Sequence, residues 1–400
     1  MKRAGVLLVC VACGGGALPI GSGDAGTDAA PTDGGAIDAP SDATTDSAPA
    51  PACDGPLPGA YDIPGNGIDD DCDGVVDNPI ETCDTSIASD TSDAKDFAKA
   101  MDICRTTTQT DANWGLLDAS LTFADGTGSP ASKQHAVRPK YGTNMVPLRG
   151  SSLVLLSTGA AGGAGDTNPS FEDPGGSSGA GTSSPFPADF YAAHSNVLPN
   201  APGCPAPSGS LAEDPVMLTL TIRAPTNAKS FTLRASFFTS EFPEWVCSPY
   251  NDFFVVLLDS AYAGQNPNPT DKNLAVVHEQ QDIPVGVNLA FGNTGLFTQC
   301  VNGTLGCEGS NTGTINTCVS AAELTGTGLD QAAVGLCDGN SLEGGGTGWL
   351  AITGNVVGGE VITLRVALWN TSDETNQSLV TLDRFEWSDA IGTPGTTLAP

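Results

Sequence analysis

VMLTLTIR, residues 216–223, decides the fold class. Val216, Leu218, Leu220 and Ile222 alternate there with Met217, Thr219, Thr221 and Arg223. A second stretch, VITLRVALW at 361–369, alternates Ile362, Leu364, Val366 and Leu368 with Thr363, Arg365 and Ala367. Successive side chains on a strand point to opposite faces, so a period of two with polar partners marks half-buried antiparallel strands. Working outward, strand signals recur at 114–123, 152–157, 230–238, 252–258, 273–278 and 379–387, divided by loops rich in Gly, Pro and Asn. The pattern predicts an all-β fold: an antiparallel, jelly-roll-like β-sandwich over 112–390 with long disulfide-stapled loops. Within it, the Gly/Ser/Pro-rich stretch 159–210 reads as an insertion or irregular surface loop, and residues 391–400 read as a tail. Trp369 and Trp387 lie inside alternating strands and read as core, whereas Trp245, Tyr250 and Trp349 are candidates to line a sugar or peptide surface.

One short helix is expected, in the connector 81–111. In DAKDFAKAMDIC (93–104), Phe97, Met101 and Cys104 fall at i, i+4 and i+7, and Asp93 is placed to cap the N-terminus. The first 13 residues combine Met1-Lys2-Arg3 with a short apolar run and then Cys13, the order of a signal peptide with a candidate lipobox. Cys13 is the expected lipidation site, giving a membrane partner through an N-terminal lipid anchor and an outer-membrane or cell-surface location; plain secretion is the other outcome. Residues 14–52 carry recurrent Asp, no aromatic residue and no Lys or Arg, the composition of a disordered, self-repelling tether.

Ten cysteines follow: Cys53, Cys72, Cys83, Cys104, Cys204, Cys247, Cys300, Cys307, Cys318 and Cys337. An even count in an exported, loop-rich chain reads as disulfides, with free core thiols as the alternative. Pairing Cys53 with Cys72 would close one loop, Cys83 with Cys104 would pin the helix, and Cys204 with Cys247 is the first choice for a third bridge. The last four would form two more, of connectivity that spacing does not decide. Zinc is disfavoured, because close CxxC pairs are missing and His135, His194 and His278 are scattered.

A metal loop is expected in 53–80. Asp69, Asp71, Asp73 and Asp77 stand at positions one, three, five and nine, with Gly74 for a sharp turn and the Val75 carbonyl as a further oxygen. Hard oxygens at this spacing favour Ca²⁺; Ile80 replaces the twelfth-position Glu, so an EF-hand is not supported. The bland alternative is a disulfide knot with solvated acids. A second metal set is drawn from Glu241, Asn251, Asp252 and Asp383, with Glu244, Asp373 and Glu374 nearby in sequence. The commoner use of Asn251-Asp252 is to cap a turn.

Charge narrows the function classes. The chain holds 15 Lys and Arg against 46 Asp and Glu, a net charge of -31, which argues against nucleic acid and anionic lipid as partners. HExxH, GxSxG and Walker A patterns are missing. The expectation is a noncatalytic surface binding or adhesion protein with a glycan or cell-envelope ligand. The alternatives are a metal-capture protein for copper or calcium, and a carbohydrate-active hydrolase using a carboxylate pair such as Glu241 with Asp252.

Two resemblances add to this reading. CDGPLPGAYDIPGNGIDDDCDGVVDN (53–78) resembles the MopE-type metal-binding motif, which implies Cu²⁺ where the ligand types imply Ca²⁺. FFTSEFPEWVCSPYNDFFVVLL (237–258) resembles the signature of choice-of-anchor L domains. YGTNMVPLRGSSLVLLSTG (141–159), GGTGWLAITGNVVGGEVITLRVALWNTSD (345–373) and SLVTLDRFEWS (378–388) fit the same family. That resemblance implies a bacterial surface or secreted protein with one of several anchoring signals.

Overall fold

The computed structural model describes residues 53–400 apart from 177–178, 280, 310, 333–336, 338–341 and 400. The signal segment, Cys13 and the tether lie outside the described residues. The strands, in order, are β1 Gly115–Thr122, β2 His135–Arg138, β3 Leu153–Ser157, β4 Ser183–Ser184, β5 Ala212–Arg223 and β6 Ser230–Thr239. They continue as β7 Phe253–Asp259, β8 Val276–His278, β9 Asp282–Pro284, β10 Gly303–Leu305 and β11 Gly313–Ile315. The last five are β12 Gly345–Gly346, β13 Leu350–Asn355, β14 Val361–Thr371, β15 Ser378–Ser388 and β16 Gly395–Leu398. Two helices are described: α1 Ala94–Ala100 and α2 Ala188–Ala193.

The two stretches with the cleanest alternation pair with each other. Ile362 stands opposite Ile222, Leu364 opposite Leu220 and Val366 opposite Leu218. All six are buried in one core, so the period of two becomes a single apolar face. The five-stranded sheet runs β1-β5-β14-β7 with β4 on the side of β5, and the seven-stranded sheet runs β16-β13-β6-β15-β3-β2 with β12 on β6. Phe231, Leu233, Phe237, Ile352, Val380 and Leu382 of the second sheet share the core with Leu218, Leu220, Phe254 and Leu364 of the first. This is the expected antiparallel β-sandwich.

The outer faces are clothed as well. On the five-stranded sheet, α2 lays Phe190 beside Trp369, and Met217, Phe253 and Ala367 complete a second apolar cluster. On the seven-stranded sheet, Tyr141, Met145, Leu324 and Leu329 from loops cover Phe238, Leu153 and Leu155. The 159–210 stretch is therefore a cover over one sheet and contains a helix, where an insertion without helix was expected. Residues 391–400, read as a tail, contain β16, which pairs with β13 from Leu350–Leu398 to Thr353–Gly395.

Helix α1 forms but ends at Ala100, short of the expected 104, and leaves Cys104 beyond it. The Asp93 side chain accepts from Lys95 N, and Phe97 and Met101 are buried in the sandwich core. Five disulfides hold the loops: Cys53–Cys72, Cys83–Cys104, Cys204–Cys247, Cys300–Cys318 and Cys307–Cys337. Such bonds persist in oxidising compartments, which places the protein outside the cytoplasm. Among the described residues, no helix is long and apolar enough to cross a membrane.

Candidate functional site

The acidic loop is built from backbone amides turned onto its own carboxylates. Asp69 accepts from Asp73 N at 3.1 Å and Gly74 N at 3.0 Å, and Asp73 accepts from Val75 N at 2.8 Å. Gly74 has φ +97°, a left-handed conformation that the tight curve requires and a side chain would resist. One carboxylate oxygen each of Asp69, Asp71 and Asp73 lies within 4.8 Å of the others. Ligand oxygens across a Ca²⁺ ion, each at 2.3–2.6 Å from it, stand up to about 5 Å apart, so the three oxygens fit such an ion. Burial and the neighbouring Asp73, Asp62 and Asp69 carboxylates hold Asp71 above its ordinary pKa.

Asp77 is turned elsewhere. Its carboxylate accepts from Gly65 N at 2.7 Å and Gly67 N at 3.2 Å, bracing the opposite arm of the loop. Two acids outside the spacing pattern share this bracing. Asp62 accepts from Asp70 N at 3.0 Å and from Asn78 N, and Asp70 accepts from Ile63 N at 3.1 Å.

Asp71 and Asn78 also line a cavity of about 340 Å³ between the loop and the sandwich. Tyr61, Trp114, Arg105, Arg149, Asp102 and Phe385 form its other walls. Tyr61 meets Trp114 edge-on at 5.3 Å, and the Arg105 guanidinium lies 4.5 Å from the Trp114 ring centre. Arg149 pairs with Glu386 and lies 3.7 Å from Asp102, whose carboxyl burial pushes up to about 6. The lining thus combines an aromatic edge with both signs of charge.

The second expected metal set divides into separate places. Glu241 and Asp252 are each 1% exposed; burial first, then Asp252 and Asp373 beside Glu241 and Asp373 and Asp214 beside Asp252, holds both well above their ordinary pKa. Asn251 instead accepts from Asn288 N at 2.9 Å, a bond between segments 37 residues apart and not the local turn cap that Asn251-Asp252 suggests. Asp383 lies five residues along β15 from Ser378, roughly 17 Å at strand rise. There it accepts from the Leu148 and Arg149 amides, at a bulge between Asp383 and Phe385. Glu244 lies with Trp245, Glu308 and Glu343 in a shallow acidic cleft, its carboxyl pushed to about 7 by burial.

Several partners of Glu241 and Asp252 carry no motif of their own. Asp214 is fully buried and accepts from Gly181 N at 2.7 Å, while Asn370 and Thr371 are buried at the end of β14. Only strand register brings them to Asp252. No family model, curated protein or solved structure matches this chain.

Proposed function

We propose that the protein is a noncatalytic binding module working outside the cytoplasm, in which a Ca²⁺-holding loop shapes one wall of a ligand cavity. The observation that carries this reading is the double role of Asp71: it belongs to the carboxylate triad and it lines the cavity of about 340 Å³. An ion drawing Asp69, Asp71 and Asp73 together fixes the position of Asp71 and of Asn78 beside it. The cavity volume is in the range of small-ligand sites. Its aromatic edge, with Asp62, Asp71, Glu81 and Asp102 against Arg105 and Arg149 as hydrogen-bonding groups, suits a polar ligand with an apolar face and no negative charge, such as a sugar of a cell-envelope glycan. The resemblance to choice-of-anchor L domains favours the same cell-surface setting, with a lipid on Cys13 as the anchor.

The test is a glycan and cell-envelope array probed with the full chain in Ca²⁺ and in chelator, beside a Trp114→Ala variant. Saturable binding that weakens in chelator and in the variant is expected. Failure to bind any glycan, or binding indifferent to both changes, overturns the reading. Calorimetry with Cu²⁺ decides the metal: tight Cu²⁺ binding without a Ca²⁺ response would favour metal capture instead.

A further inference from the structure

We propose that the sandwich end between Glu241 and Asp252 is a second, buried Ca²⁺ site, distinct from the loop of Asp69, Asp71 and Asp73. The strands assemble it from both sheets. The register that pairs Phe253 with Trp369 brings Asp252, one residue outward, to Asn370. In the facing sheet Ser378 pairs with Thr239, two residues before Glu241. The Ser378 hydroxyl donates to Asp252 across the gap at 2.5 Å, and the Thr371 amide donates to its other oxygen at 3.3 Å. Both Asp252 oxygens therefore accept, in a place almost without solvent.

The independent observation is what remains unpartnered. Both carboxylate oxygens of Glu241 lack a hydrogen bond, although the residue is 1% exposed. The Asp252 amide is close enough to the Glu241 carboxylate to lower its pKa against the effect of burial, and Asn370 Oδ1, Thr371 Oγ1 and Asp214 Oδ2 are likewise buried oxygens without a hydrogen bond. Orphaned buried oxygens are rare in folded proteins because each forfeits its hydration. Here they belong to residues that strand pairing and charge place beside an acid pair that none of the ion pairs among the described residues reaches. A divalent cation supplies the missing charge and satisfies the oxygens together. The donors are all hard, two carboxylates with amide and hydroxyl oxygens, the set that selects Ca²⁺ over softer metals. Asp373, on the loop after β14, is near enough to raise both carboxyl pKa values, and its carboxylate accepts from Thr375 N at 3.0 Å.

The experiment uses the full chain carrying D69N, D71N and D73N, stripped with chelator, dialysed against Ca²⁺, and counted for bound metal by atomic emission. About one tightly held Ca²⁺ per chain, with a higher melting temperature in Ca²⁺ than in chelator, is expected. Adding E241Q and D252N should abolish both. If those changes prevent folding, the metal count on the triple variant decides alone. A triple variant that retains no Ca²⁺ and melts identically in Ca²⁺ and chelator overturns the proposal, as does equal protection by Mg²⁺ or Na⁺. Wild-type chain holding no more Ca²⁺ than the triple variant would instead refute the loop reading and leave this site standing.

Discussion

The Ser378 hydroxyl donates to Asp252 Oδ2 at 2.5 Å, joining the first residue of β15 in one sheet to the residue before β7 in the other. Inward of this bond the two sheets meet through Phe237, Phe254, Val380 and Leu368. Outward of it lie Glu241, Asp252 and Asp214, all buried. The sandwich therefore ends in a plug of acids, one of several sets of buried carboxyl groups that answer to protons.

In chelator, stability should rise as the pH is lowered from about 7.5 to about 5. A carboxyl whose folded-state pKa is raised contributes stability at low pH and loses it as pH climbs through that value. Glu241 and Asp252 are raised well above their ordinary values, Asp214 is at about 6 and Glu244 at about 7, with Asp373 also raised. Asp383 at about 7 and Asp102 at about 6 act in the same direction. Asp84, Asp189 and Glu386 are held low, so their opposite contribution is lost only at more acidic pH. Melting temperatures across this window check the sign; a steady increase toward neutral pH would contradict it.

In the loop, Asp71→Asn should weaken Ca²⁺ binding at least about tenfold, because affinity follows the charge of the ligand set. The change lies at a part-exposed position, so sandwich stability should move by no more than about 0.5 kcal/mol. Asp77→Ala should act differently: it strips the Gly65 and Gly67 amides of their acceptor and speeds their hydrogen exchange. Titration calorimetry and exchange measurements separate the two, and wild-type affinity in Asp71→Asn would exclude it as a ligand.

Phe190→Ala should cost about 3–5 kcal/mol, the usual loss for a fully buried Phe. Phe190 is 0% exposed and meets Trp369 at 6.5 Å, so its removal opens the space between α2 and the five-stranded sheet. Urea denaturation measures the loss. A value under about 1 kcal/mol would mean that α2 contributes no core.

Removing Cys204–Cys247 by paired serine substitution should cost roughly 4 kcal/mol, against roughly 3 for Cys300–Cys318, because the first closes the longer ring in the unfolded chain. The separations are 43 and 18 residues. Denaturant midpoints of the two variants test the order, and the reverse order would show that native-state packing outweighs chain entropy.

The strands at 216–223 and 361–369 were legible because alternation extends over their length and each buries one face. β13 escaped notice: LAITGN is interrupted by Gly354 and follows a Gly-rich run. Helix α2, ADFYAA, spans six residues and has no side-chain cap, too short for a helical period to emerge. In the acidic loop, spacing revealed Asp69, Asp71 and Asp73, but the amides that capture Asp77 are set by the fold of the preceding turn. The partners of Asp252 were hidden for another reason. Asp214, Asn370 and Ser378 reach it only through strand pairing, which a local pattern does not encode, and Asp383 was drawn into the set by chain proximity although a bulge sends it to another loop.

None of the ten bridged sulfurs falls within a strand. An exported chain can therefore zip its sheets while every thiol is still reduced, and an oxidase then meets partners already held side by side. Two of the sulfurs, on Cys247 and Cys300, nevertheless lie in the sandwich core, so a reducing episode would loosen the loops at the places where they enter it.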